Sequence, residues 1–343
     1  MELRIKYKFD PIFETVSLLY CSTQKVDKEK TVELINAFGV DGEKFYKKYY
    51  KVSERYIRCF KKYMVRNEYF DFFFRDEEEE FLLFLTVLLV ENRDWFQDFT
   101  RVTDLEIRSL AAEIFQDEGN ALKPLERKLQ PQLQEEKEVI RFLSNLDLED
   151  GLKWHLMEFL ERPVYWISIL LDLVKTNIPA FERALSDMEK TLETFMTAYK
   201  KHEDQQFLEI ADACAPGAVV YPSLAAGSSQ VICYTQAYQG IFVQYLVRKG
   251  TSLDEKKERL IARMKALSDK SKLDILCHLK RSSKYNLELA ESMHLSPSTM
   301  SHHMNVLFAC EFVGVEKKDG RVYYVLKEDT VREFVDNISE LLL

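Results

Sequence analysis

Near the N-terminus Leu3, Ile5 and Tyr7 alternate with Arg4, Lys6 and Lys8, a period of two that predicts a short strand. The period then lengthens. Asp10-Pro11 supplies an N-cap and a first helical residue for a helix to about Tyr20, with Ile12, Phe13, Val16 and Leu19 on one face. From Lys28 to Leu208 the pattern is almost continuously helical, with breaks at Gly39–Gly42, near Asn67, at Gly119–Pro124, at Asp147–Gly151 and at Asn177–Pro179. It changes again at Pro216-Gly217. Three β-rich runs follow, Ala218–Tyr221, Gln230–Tyr234 and Ile241–Val247, with turn residues at Gly227-Ser228-Ser229 and Gln239-Gly240. These predict a small antiparallel sheet over about 216–248, joined by the N-terminal strand and packed on the helices, since so small a sheet is marginal alone. Gly250-Thr251-Ser252 reads as a hinge.

Beyond the hinge the helices are short. Lys256–Leu267 places Leu260, Ile261, Met264 and Leu267 on its apolar side. Ser268-Asp269 can cap a next helix whose core candidates are Leu273, Ile275, Leu276 and Leu279. A polar loop, Arg281–Tyr285, leads to a helix over Asn286–Met293 and a turn at His294-Leu295-Ser296. Ser296 and Pro297 are an N-cap and first position for a helix to about Ala309. Val313–Glu316 and Val322–Leu326 then flank Asp319-Gly320, a strong hairpin signal. The last helix, about Glu328–Leu341, lines up Val331, Phe334, Val335, Ile338 and Leu341. Helix, turn, helix and basic hairpin in this order form the layout of a winged helix-turn-helix. The expected fold is therefore mainly α with small β elements. A helical α+β domain (1–250) precedes a winged helix-turn-helix domain (256–343).

Composition sharpens this division. The chain of 343 residues is 46% hydrophobic and 31% charged, a globular balance, with 23 Phe, 17 Tyr, few Gly and few Pro. Its net charge of −9 argues against whole-surface attraction to nucleic acid. The charge is uneven, however. Lys256 to Lys327 holds 14 Lys/Arg against 8 Asp/Glu, a net of +6, so the remainder carries −15. A basic module on an acidic body fits local phosphate contact. Six cysteines without a C-x-x-C pair fit reduced thiols in a cytoplasmic protein, and Cys277 and Cys310 sit in apolar contexts that read as core. The longest apolar run, Phe81 to Val90, is too short to span a bilayer. No membrane association is expected.

The helix after Pro297 carries the most legible chemistry. At about 100° per residue, Ser298, Ser301, His302 and Asn305 share one sector, opposite Met300, His303, Met304 and Leu307. A small, hydrogen-bonding face suits the major groove of double-stranded DNA, with Thr299 at the flank for a phosphate. Lys317, Lys318 and Arg321 would make a basic wing tip for phosphates or a narrow minor groove. Adjacent helical positions diverge too far for His302 and His303 to share a metal ion readily. His155 and His202 have no nearby Cys or His partner, and Glu77–Glu80 reads as an acidic helix start. No metal site and no cofactor are expected. Phe45 to Phe74 holds twelve Phe/Tyr, which fits either the core of a helical bundle or the lining of an apolar pocket.

ALSDKSKLDILCHL, ELAESMHLSPSTMSHHMNVL and DGRVYYVL, in register, resemble the ArsR family of bacterial winged-helix repressors over roughly the last quarter of the chain. The resemblance implies a homodimer that binds an operator and releases it on a signal. Its dimer contacts are expected on the last helix, at Val331, Phe334, Val335 and Ile338. Many family members sense metals through cysteines in the helix before the recognition helix, or through histidines and carboxylates on the last helix. Here that first helix reads NLELAESM, and the last helix has no histidine. The signal is then expected to enter through the first 250 residues, as a small apolar or aromatic effector. The alternative is control by a protein partner on the same domain. Sequence signatures for an enzyme, such as a Gly-rich nucleotide loop, G-x-S-x-G or H-E-x-x-H, do not occur.

Overall fold

The computed structural model describes residues 3–38, 40–75, 79–115, 125, 127–146, 148–201, 204–246, 253–295, 297–318 and 321–343. For 253–256, 258, 287, 297, 298, 317, 318 and 321 it describes the backbone alone. The body opens with β1 (Arg4–Ile5), α1 (Pro11–Cys21) and α2 (Lys28–Asn36). Next come α3 (Gly42–Phe45), a π-helical turn at Tyr46–Tyr50, α4 (Lys51–Lys61), α5 (Phe70–Phe73) and α6 (Glu79–Glu91). Then follow α7 (Asp104–Phe115), α8 (Glu136–Ser144), α9 (Asp150–Glu161), α10 (Pro163–Lys201) and α11 (Gln205–Cys214).

Asp10 caps α1 as its position before Pro11 predicts, its carboxylate accepting from the Ile12 N–H at 3.1 Å. The same carboxylate accepts from the Arg93 guanidinium and from the Tyr238 hydroxyl, which ties α1 to the sheet. The break expected at Asn177–Pro179 does not occur, because α10 runs through it. Pro179 removes one helical donor. Two residues earlier the buried Asn177 side chain bonds Leu173 O at 2.9 Å and both backbone polar groups of Val65. By length and composition α10 could cross a membrane, but its apolar side packs on α1 and α4 in the core. The aromatic segment fills that core. Phe45, Tyr49, Tyr56, Phe60, Phe70, Phe72, Phe73 and Phe74 are buried, and Phe72 stacks on Trp166 with ring centroids 3.8 Å apart.

The sheet differs from the expected antiparallel one. β2 (Val219–Ser223), β3 (Gln230–Ile232) and β4 (Gln236–Gly240) join β1 in the order β1-β2-β4-β3. The β1–β2 and β2–β4 pairs are parallel and only β3–β4 is antiparallel. Of Ile241–Val247, expected as a strand, the described residues 241–246 contribute a short 3-10 turn at Val243–Tyr245, while Val247 and the expected hinge at 250–252 lie outside the described residues. The strand is instead Gln236–Gly240, where Gln and Gly mask Ala237 and Tyr238, both fully buried. Gly240, expected as a turn residue, ends β4 against the loop Ala226–Gly227. A Cβ there would lie 2.4 Å from Ala226 O.

The C-terminal module has its own core. It comprises α12 (Leu253–Ser268), α13 (Lys270–Arg281), α14 (Asn286–Met293), α15 (Pro297–Ala309), β5 (Val313–Lys318), β6 (Arg321–Leu326) and α16 (Glu328–Leu342). β5 and β6 form an antiparallel hairpin that sets Val313 opposite Leu326 and Lys318 opposite Arg321. Lys284, in the loop expected to be merely polar, exchanges backbone hydrogen bonds with Tyr324 and widens the hairpin by one residue. Ile275, Leu276, Leu279, Leu289, Met300, Met304, Val306, Leu307 and Phe312 are buried together. Leu273, expected in the core, is exposed, as are Ile261 and Met264 from the expected apolar side of α12, because the buried stripes run instead through Leu260, Arg263 and Ala266 and through Lys272, Ile275, Leu276 and Leu279. Cys310 is buried as expected, whereas Cys277 is exposed, on the rim of a cleft of about 400 Å³ that includes Lys270, Asp274, His278 and Arg281.

Candidate nucleic-acid interface

The helix-turn-helix is shaped by three local devices. Asp269 caps α13, accepting from the Lys272 N–H at 3.2 Å and from its ammonium at 2.7 Å. Glu288 reaches back from the third position of α14 to accept the Tyr285 N–H at 3.1 Å. His294 adopts a left-handed conformation, φ 55°, and Leu295 N–H then closes on Ala290 O at 2.9 Å. This turn reverses the chain and delivers α15.

Helix α15 buries Met300, Met304, Val306 and Leu307 and leaves Thr299, Ser301 and Asn305 exposed. Asn286, at the start of α14, donates from Nδ2 to Ser301 Oγ at 3.5 Å. His302 and His303 are half-buried. Burial, and then the Lys272 ammonium, hold both imidazoles below the usual histidine range, with the Asp269 carboxylate opposing. Both environments favour the neutral imidazole over the cation relative to a free histidine. The Ser298 side chain, the Asp319-Gly320 turn and the side chains of Lys317, Lys318 and Arg321 lie outside the described residues. By register Lys318 and Arg321 face each other across the end of the hairpin.

Arg263 is a residue that sequence patterning missed. It is only 1% exposed, in the middle of α12. Its Nε donates to Cys310 O at 3.1 Å, and its guanidinium pairs with Glu311 at 3.0 Å and Glu333 at 3.4 Å while lying over the Phe312 ring. One side chain thus joins α12, α16 and the end of α15. Phe334 is buried in the module's own core, edge-on to Phe312 with centroids 5.6 Å apart. Val331 and Ile338 pack against that core, while Val335 is 58% exposed. The stripe on α16 therefore divides between packing inward and facing solvent.

The profile of the bacterial regulatory protein, arsR family, matches residues 269–314, from the cap of α13 to the second residue of β5. The chain carries an ArsR-family helix-turn-helix. This places it among DNA-binding transcriptional regulators, with a long N-terminal extension outside the match. No curated protein and no solved structure matches it.

Among the described residues the body meets the ArsR-type module beside α2 and along α11. Ala37 and Phe38, following α2, pack against the module's core, and the Phe38 ring stands edge-on to His302 with centroids 6.4 Å apart. Helix α11 packs on β5, and Gln206 Nε2 donates to Phe308 O, in the last turn of α15, at 2.6 Å. Away from the module, the body holds a cleft of about 360 Å³ between α8 and α9. Val139, Ile140, Met157, Leu160 and a 70% exposed Trp154 supply its apolar lining.

Proposed function

We propose that the chain is a dimeric, sequence-specific repressor acting in the cytoplasm, with α15 reading the major groove and the wing contacting phosphates. The observation that carries this reading is the two-sidedness of α15. Its aliphatic and methionine side chains are buried, and Thr299, Ser301 and Asn305 are left free of bulk. Asn pairs with adenine edges, and hydroxyls serve either base type or phosphate. Ser298 and His302 belong to the same reading face, and Lys317, Lys318 and Arg321 to the wing. The exposed Val335 of α16, with Val331 and Ile338 beneath it, offers the surface for a second copy. The effector site is the cleft beside Trp154, whose size and mixed lining, apolar side chains beside Arg108, Glu136 and Glu158, suit a small aromatic molecule that carries polar groups.

The same exposed Trp154 supports a second reading, in which a protein partner occupies the cleft. Co-purification of a small molecule favours the first; a stoichiometric protein partner favours the second. A shift assay on the DNA upstream of the gene tests the DNA half. Asn305→Ala should weaken the selected duplex by roughly 1–3 kcal/mol and relax base choice at one position. Equal affinity for selected and competitor DNA would refute sequence reading.

A further inference from the structure

Phe38 belongs to both cores. It packs on the body's aromatic cluster and on the module's aliphatic one, and it is the residue whose ring reaches His302. His302 shares its helical sector with Ser301 and Asn305, so the ring sits on the flank of the face assigned to DNA. At the far end of the same helix Gln206 holds the Phe308 carbonyl. The body thus grips α15 at its middle and at its last turn.

A major groove is about 12 Å wide, and a helix with its side chains fills about 10–12 Å. A groove that receives α15 leaves no space for a phenyl ring against His302. Phe38 and the duplex therefore compete for one surface. We propose that the Ala37–Phe38 corner is an autoinhibitory wedge, and that DNA binding requires the body to withdraw from α15. The inference rests on the DNA-binding reading and adds a sign to it. A ligand that stabilises the docked arrangement releases DNA, and one that loosens it promotes binding. By linkage, bound DNA shifts the affinity of that ligand by the same factor.

The test uses full-length chains with Phe38→Ala, Gln206→Ala or both. A duplex is selected from a randomised pool by the double variant, then titrated against every chain by fluorescence anisotropy. Each single variant should tighten binding roughly threefold to tenfold, the range of one aromatic pair or one hydrogen bond, and the double variant more. A readout without DNA accompanies it. In Phe38→Ala the His302 imidazole, followed by proton NMR, should titrate closer to the ordinary histidine value, with Lys272, Asp269 and His303 unchanged around it. If His302 titrates higher but all chains bind the duplex equally, the wedge is refuted and DNA reading stands. If no duplex is enriched by any chain, both fall. Should Phe38→Ala fail to fold, Gln206→Ala decides the matter alone, because it removes only the bond to the Phe308 carbonyl.

Discussion

The body and the module differ in the ionisable groups they enclose. In the body these include the acids Asp10, Glu14 and Asp204 and the imidazole of His155. Glu14 is fully enclosed, accepting from Ser223 Oγ at 2.6 Å, the Leu224 and Ala225 N–H groups and the Tyr56 hydroxyl, and Asp10 lies against Arg93. In the module they are bases, Arg263 and Lys272, held by Glu311, Glu333 and Asp269. The packing differs as well. The body is aromatic, Phe81, Phe84 and Phe159 meeting edge to face, whereas Ile275, Leu289, Met300, Met304 and Leu307 build the module. The separation of charge read along the chain thus continues into the two interiors. Each core also takes its ionic anchor from the sign that dominates its own half.

The sharpest way to break this comparison is a truncation in the aromatic core. Phe159→Ala should cost about 3–5 kcal/mol, the usual range for a buried Phe that leaves a cavity. Hydrogen exchange should show the loss in α6, α9 and α10 and spare α13 to α15. Equal loss of protection in both halves would mean that they unfold as one unit.

Glu14 offers a pH test of nearly the same size. Burial outweighs its four donors and raises the carboxyl from 4.5 to about 7. The folded chain then keeps a proton that the unfolded chain has shed between those values. Stability is highest below pH 4.5 as far as this group is concerned, falls as pH rises through the window, and levels off above 7. The whole effect is about 3 kcal/mol, and Glu14→Gln should abolish the slope. Urea midpoints from pH 5 to 8 measure it. Parallel curves for the two proteins would mean that the donors keep Glu14 ionised.

In the module, Arg263→Ala should cost roughly 2–3 kcal/mol, below the full penalty for breaking a buried ion pair because both glutamates reach solvent. Thermal unfolding followed at Tyr323 and Tyr324 of the wing would report it. A loss confined to the body would show that Arg263 anchors less than its contacts indicate. The smallest effect is expected at the wing. Arg321→Ala should lower the slope of log affinity against log salt by about one, with little change in base preference.

How far the sequence reaches can be traced residue by residue. Asp10, Asp269 and the Pro11 and Pro297 helix starts are legible because a cap is a local bargain between one side chain and a free N–H. The reading helix is legible because its two faces differ in polarity, and the wing because its strands alternate around a turn dipeptide. The parallel pairing of β2 with β4 is not legible, since its partners are far apart in the chain and Gln236–Gly240 looks polar. Nor is the course of α10 through Pro179, which rests on Asn177 and a loop 112 residues away.

Residue patterns alone were enough for the order of elements in the C-terminal module, the separation of an acidic body from a basic module, and the helix-turn-helix with its two-sided second helix. These depend on periodicity, capping and charge, which act over a few residues. Only the tertiary structure decided that Phe334 packs inward, that Leu273 and Cys277 face solvent, that Arg263 knots three elements together, and that Phe38 stands against His302. Amphipathic helices offer more apolar positions than one core can hold. Which of them are buried, and against what, is settled when the elements compete for the same space.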